Sequence, residues 1–321
     1  MPAEILTVTL NPTLDVSTSV PRLIDHAKLR CGPEQEQVGG GGINVAQVVH
    51  SLGVSCQALL PVGGSRGQDI LQRLTKRGLD CIAVPIAQQS RQCFTVYETE
   101  TGHEYRFVLP GPALSDAEQN ACVAAICENL PTQYLVLSGS LPPGLPDDFY
   151  ATVIHAVRHV NPALKIVVDT SGHALAHALS ARVFLFKPSR EEFCELLGAS
   201  STQKQCTPTD WAKACRTFIS QGKAQVVALT LGTEGSLIVS ATHAWRVFPV
   251  PVKVTSTVGA GDSFVGGLLW SLTQQATDWV QAAQVGTAAA SAALQTQGDL
   301  SFDARTILST SKTVKVLPLS E

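Results

Sequence analysis

The chain has 321 residues, 45% hydrophobic and 15% charged, with a formal net charge of −3. That size and apolar content suit one large buried core, the mild acidity argues against nucleic acid as a partner, and no apolar run reaches the roughly 18 residues of a membrane span. Nine cysteines without a CxxC pair read as small reduced thiols, and the start Met1-Pro2-Ala3-Glu4-Ile5-Leu6 lacks the basic opening of a signal peptide, so a cytoplasmic protein is expected.

Residues 5–10 are a β-rich run closed by Asn11-Pro12-Thr13-Leu14-Asp15. Asp15 is therefore expected just past a first strand, where open α/β sheets place ligands, with a plain turn aspartate as the competing reading. Residues 16–37 are polar and irregular, carry Arg22, Lys28 and Arg30, and read as an excursion from the core. Gly39-Gly40-Gly41-Gly42 then leads into residues 43–53, which have helical apolar spacing and a glycine stop. Bare backbone before a helix lets a ligand approach closely. It is no dinucleotide fingerprint, because Asn44 stands where the third glycine belongs.

A strand at 56–62 and a helix at 67–77 follow. Residues 92–100 and 104–109 read as a hairpin about Thr101-Gly102-His103. Phe94, Val96, Arg106 and Val108 alternate as in a thin sheet with one solvated face. Together with 16–37, the stretch 91–110 is expected to form a small lid. Regular alternation takes over after that. Strands are expected at 134–140, 166–170, 183–187, 226–231 and 237–240. Helices fall near 115–128, 147–158, 189–197 and 208–221, and two alanine-rich helices, 261–275 and 278–294, come last. Nearly all-apolar strands fit a mainly parallel sheet covered by helices on both faces. No repeat or interdomain linker divides the chain, so residues 1–321 are read as one domain of α/β class.

The chemistry concentrates in Thr255-Ser256-Thr257-Val258-Gly259-Ala260-Gly261-Asp262-Ser263-Phe264. It reads as a tight turn entering a helix, whose first N–H groups and dipole favour an anion. A carboxylate at such a place repels a bound anion unless it takes a proton from an arriving group. Asp262 is then a general base for phosphoryl transfer to a hydroxyl, with the Gly259, Ala260 and Gly261 amides steadying the developing charge.

Other chemistries fit less well. Gly222-Lys223 lacks the remainder of a Walker loop. A serine hydrolase built on Gly261-Asp262-Ser263 misses the nucleophile elbow at Val265 and has no histidine after His243. The helical pairs His155/His159 and His173/His177 lack the glutamate of a zinc site and read as exposed. A non-catalytic sugar- or nucleotide-binding module explains the glycines but leaves Asp262 without a task.

Four separated stretches, GGGGINVA at 39–46, SGSLPPG at 138–144, 187–192 and STVGAGDS at 256–263, resemble the ribokinase-like sugar kinases of the phosphofructokinase B family, in family order. The start Thr9-Leu10-Asn11-Pro12, the run Lys28-Leu29-Arg30-Cys31 and Tyr105-Arg106-Phe107-Val108-Leu109-Pro110-Gly111 resemble its hexose-phosphate branch, the minor bacterial 6-phosphofructokinases first, with 1-phosphofructokinase and tagatose-6-phosphate kinase as alternatives. The resemblance implies a ribokinase-like fold with a β-lid that pairs two subunits. It implies ATP-dependent phosphorylation of a hexose phosphate, fructose 6-phosphate foremost. Asp15, Gly40, Gly41 and Asn44 would then hold the sugar, and Lys28, Arg91, Arg106 and Ser140 its phosphate. Lys187, Ser189, Thr230, Gly232, Gly235 and Thr257 would face ATP, with Mg²⁺ near Glu192 and Asp169. Two positions depart from the family pattern. Ser189 replaces the asparagine of NxxE, and Thr296 and Leu300 stand in the monovalent-cation loop, where K⁺ would bind.

Overall fold

The computed structural model describes residues 2–198, 206–296 and 303–319. In chain order the first half runs β1 (Ile5–Val8), β2 (Thr13–Val20), β3 (Gln35–Gly39), α1 (Gly41–Ser51), β4 (Cys56–Val62), α2 (Gly64–Lys76), β5 (Asp80–Pro85), β6 (Arg91–Glu98), β7 (Glu104–Phe107), α3 (Asp116–Glu128), β8 (Tyr134–Ser138) and α4 (Phe149–Val160). The second half runs β9 (Lys165–Asp169), α5 (Gly172–Ser180), β10 (Val183–Phe186), α6 (Arg190–Leu196), α7 (Pro208–Ser220), β11 (Ala224–Thr230), β12 (Ser236–Ser240), β13 (Ala244–Val247), α8 (Ala260–Gln274), α9 (Trp279–Ala293), α10 (Ala304–Ser311) and β14 (Val316–Pro318).

Ten strands form the main sheet in the order β14-β13-β12-β11-β10-β9-β8-β1-β4-β5. From β5 to β11 the neighbours run parallel; β12, β13 and β14 are antiparallel additions. Strands such as β1 and β8 are buried at every residue, because helices cover both faces. One face packs on α3 through α7, with Phe193, Trp211 and Phe218 at its centre. The other carries α1, α2, α8 and α9. Gly266 and Gly267 let α8 lie close between α1 and α9, since a Cβ on Gly267 would come within 2.7 Å of the Val285 carbonyl. That wedge fixes where the N-terminus of α8 ends up.

The lid is larger than a hairpin. Its four strands run β3-β2-β6-β7, with β2 parallel to β6 and the outer pairs antiparallel. The polar stretch 16–37 is therefore not irregular throughout: β2 and β3 flank a coil at 21–34. Asp15 does follow the end of β1, but it sits inside a second strand, β2, opposite Gln37 and Cys93, rather than in a turn. Register puts Asp15, Arg91, Thr95 and Arg106 on one side of the lid. Phe94, Tyr105 and Phe107 take the other, where they are 37%, 37% and 49% exposed. Arg106 and Val96 therefore lie on opposite faces. His155, His159, His173 and His177 are exposed on α4 and α5, and no group of three metal-binding side chains occurs among the described residues. Leu300 lies outside the described residues.

Candidate active site

Helix α8 starts behind Gly259, whose φ of 73° is left-handed and open to glycine without strain. The first bond of the turn runs from Ser263 N–H to the Gly259 carbonyl at 2.8 Å. The amides of Ala260, Gly261 and Asp262 thus precede the helical ladder and are free to meet an anion. Ser263 is fully buried within this helix, which removes it as a nucleophile and with it the hydrolase reading.

Asp262 sits in the first turn, where Asn44 Nδ2 donates to its Oδ2 at 2.8 Å. Two cavities of about 300 Å³ each meet at this carboxylate, and Gly41 and Asp262 border both. One is lined by Ser138, Ser140, Asp169, Lys187 and Glu192. Asp15, Gly40, Asn44, Arg91, Arg106, Thr257 and Gly259 line the other. Gly41 keeps the passage beside Asp262 open: a Cβ there would stand 3.2 Å from both Asp262 Oδ1 and the Gly139 amide.

Several charges crowd this junction. Loss of water, and next the nearby Asp169 carboxylate, push the Asp262 pKa up to about 7 against the pull of Asn44 and Lys187. Lys187 and Asp169 form a buried ion pair of 3.1 Å. Burial alone would lower Lys187, but Asp169, Glu192 and Asp262 outweigh it and hold the ammonium above its ordinary value. Burial raises Asp169, with Lys187 opposing. Asp15 is also raised by burial, while Thr13, Arg106 and Arg91 favour its charged form.

Most of the residues singled out from the sequence converge here, though not always on the expected side. Thr257 lines the cavity with Asp15 and Arg91 rather than the one with Lys187. Ser140 lines the Lys187 cavity rather than the Arg91 one. Lys28 lies on the exposed coil 21–34 and borders neither. Thr230, Gly232 and Gly235 also stand outside both linings, next to α6: the Thr230 N–H bonds the Pro188 carbonyl at 3.0 Å, and Arg190 pairs with Glu234 in the turn Gly232–Glu234.

Ser189 is the N-cap of α6. Its hydroxyl accepts from the Glu192 N–H at 3.2 Å, and Glu192 Oε2 accepts from the Ser189 N–H at 2.7 Å. This reciprocal box commits the serine to the helix end and leaves the other Glu192 oxygen for the cavity. Sequence reasoning assigned no role to Asn11, which bonds both Ser140 and Arg91. Its partners are too distant in sequence for spacing to reveal.

A Mg²⁺ ion fits the donors present. Asp169 Oδ2 is buried without a protein partner, and Glu192 borders the same cavity. Two hard oxygen donors with space for waters and phosphate oxygens suit Mg²⁺ better than a closed protein cage would.

A family model described as pfkB family carbohydrate kinase matches residues 14–305. The ATP-dependent 6-phosphofructokinase isozyme 2 of Mycobacterium tuberculosis is 38% identical over 298 residues, covering 92% of this chain and 85% of that protein. The protein of the same name from Escherichia coli is 37% identical over 296 residues, covering 92% and 94%. The crystal structure of phosphofructokinase-2 from Escherichia coli in complex with potassium superposes with a TM-score of 0.89 at 34% identity, over 97% of this chain and 99% of that one. The glycine turn at 259–261 and Asp262 thus lie in a chain that is kin to these enzymes along nearly its whole length, and the chain belongs to the pfkB family of carbohydrate kinases.

Proposed function

We propose that this protein transfers the γ-phosphoryl group of ATP to the C1 hydroxyl of fructose 6-phosphate. The observation that carries the reading is the position of Asp262, shared by two cavities and adjacent to the free amides of α8. The sugar would lie in the cavity with Asp15, Gly40, Asn44, Arg91 and Arg106. Guanidinium forks there suit its 6-phosphate. The triphosphate would enter from the side of Lys187 and α6. Asp262 takes the hydroxyl proton as the oxygen attacks in line, and the Ala260 and Gly261 amides meet the charge of the transferring group. Asn44 orients the carboxylate and keeps it ionisable at neutral pH. Glu192 and Asp169 would hold Mg²⁺, which shields phosphate charge when bound.

The chain's similarity to two 6-phosphofructokinases supports the choice of acceptor. The exposed apolar side of the lid, with Phe94, Tyr105 and Phe107, supports pairing of two subunits through it. The same reading puts the enzyme in the cytoplasm; what supports K⁺ as a further cation is the potassium complex of the Escherichia coli relative, not the cation loop, where Thr296 and Leu300 depart from the family pattern. Coupled ADP-release assays with fructose 6-phosphate, fructose 1-phosphate and tagatose 6-phosphate test the acceptor. Highest kcat/KM on fructose 6-phosphate is the expected result; preference for either other sugar overturns it.

A further inference from the structure

Asn11 lies between β1 and β2 and is buried, 6% exposed. Its Nδ2 donates to Ser140 Oγ at 3.2 Å. Its backbone carbonyl accepts from Arg91 Nη2 at 3.0 Å, while the Leu109 backbone carbonyl accepts from Arg91 Nη1 at 3.4 Å. Ser140 and Arg91 line different cavities, so one residue ties the two walls together. We propose that Asn11 is a positioning residue for the phosphate end of the acceptor: its side-chain amide turns the Ser140 hydroxyl into a donor, and its backbone carbonyl holds the Arg91 guanidinium in place. The proposal rests on the reading that Arg91 and Ser140, one from each of the two cavities that meet at Asp262, both reach that phosphate.

The chemistry follows from the donor inventory. A serine hydroxyl has one proton and two acceptor lone pairs. Once the Asn11 N–H occupies a lone pair, the Ser140 proton is directed elsewhere. An ionised phosphate oxygen can only accept, so a hydroxyl that serves it must donate. With Nδ2 toward Ser140, and Oδ1 buried on the other side without a partner, asparagine imposes that polarity; aspartate, an acceptor, would reverse it and add a repelling charge. Arg91 has two donors fixed on carbonyls, and its buried Nε has no protein acceptor. Gly111 preserves the arrangement, because a side chain there would run into the Asn11 amide.

Steady-state kinetics of the full-length enzyme test this, with folding checked by thermal melting. Asn11→Asp should raise KM for fructose 6-phosphate about ten- to a hundredfold and leave KM for ATP within about twofold. Asn11→Ala, which removes the donor without adding charge, should raise the same KM about fivefold or more, and add nothing in a Ser140→Ala background. A merely structural role would persist in that background. Unchanged KM in Asn11→Asp and Asn11→Ala, or equal losses for both substrates, overturns the proposal. If Ser140→Ala and Arg91→Ala also leave KM unchanged, the phosphate-grip reading itself is wrong.

Discussion

Asn44 and Asp262, 218 residues apart in sequence, meet in a 2.8 Å hydrogen bond that runs from the amide to the carboxylate Oδ2. The bond joins the start of α1 to the start of α8, the two glycine-led helix entries that frame the site. It also favours the ionised form of a carboxylate that its surroundings push toward protonation.

Asp262→Asn tests the base directly. The amide keeps the shape and can still accept from Asn44, but it cannot take a proton. The expected kcat falls by several orders of magnitude while KM values for ATP and sugar change little, since the lost interaction belongs to the transition state. Near-normal turnover would remove Asp262 from the mechanism.

The raised pKa makes activity sensitive to pH. With the base ionising at about 7, kcat/KM for the sugar should fall about tenfold per unit below that value and level off above it. Asn44 lowers the Asp262 pKa, so Asn44→Leu should move the acid limb to higher pH as well as weakening sugar binding. An acid limb that stays in place would separate Asn44 from the ionisation.

Stability should respond in the opposite sense to activity. A carboxylate whose pKa climbs from 3.8 to about 7 on folding is protonated in the native state before it is in the unfolded chain. The stability this contributes is present below the unfolded pKa and lost as pH rises through about 7. Asp262→Asn has no such loss, so its Tm advantage over the wild type should be small near pH 4, grow toward pH 7 and stay constant above. A constant difference across pH 4–8 would contradict the shift.

How much of this was legible in the sequence depended on how local each signal was. The apolar strands and the turn before α8 announce themselves within ten residues, and β4 coincides with the expected 56–62. The lid was read less well because its stability comes from distant pairing: Thr13 sits opposite Arg91, and Asp15 opposite Cys93. Leu14, Val16 and Val20 in β2 do carry a period of two that marks a strand, and it was masked by serine and threonine on the other face. Short α5 and α10, and the strands β5, β13 and β14, went unread for want of long periodic runs. Asn11 belongs to the same class, its partner Ser140 being 129 residues away.

The lid arginines divide binding from chemistry. Arg91 is fixed on two backbone carbonyls, whereas Arg106 is half-exposed and only 4.0 Å from Glu104. Arg91→Ala and Arg106→Ala should both raise KM for the sugar phosphate, by about tenfold or more where a charge-assisted contact is lost, with KM for ATP unchanged. The prefixed Arg91 should show the larger effect, because less side-chain entropy is spent on holding it. A selective rise in KM for ATP would place the lid on the wrong substrate.

The last test concerns the ion pair behind the site. Lys187 and Asp169 are 7% and 8% exposed, so neither charge is well hydrated without the other. Lys187→Met should leave Asp169 buried against Glu192 without a counter-charge and destabilise the fold by about 3–5 kcal/mol. Adding Asp169→Asn should return much of that stability, because the uncompensated charge is gone, yet activity should stay lost in the double variant. Denaturant unfolding of the two single variants and the double variant measures the coupling. A double variant no more stable than Lys187→Met would mean that the lysine stabilises through its packed stem rather than through its charge, and the electrostatic account of this wall of the site would have to be abandoned.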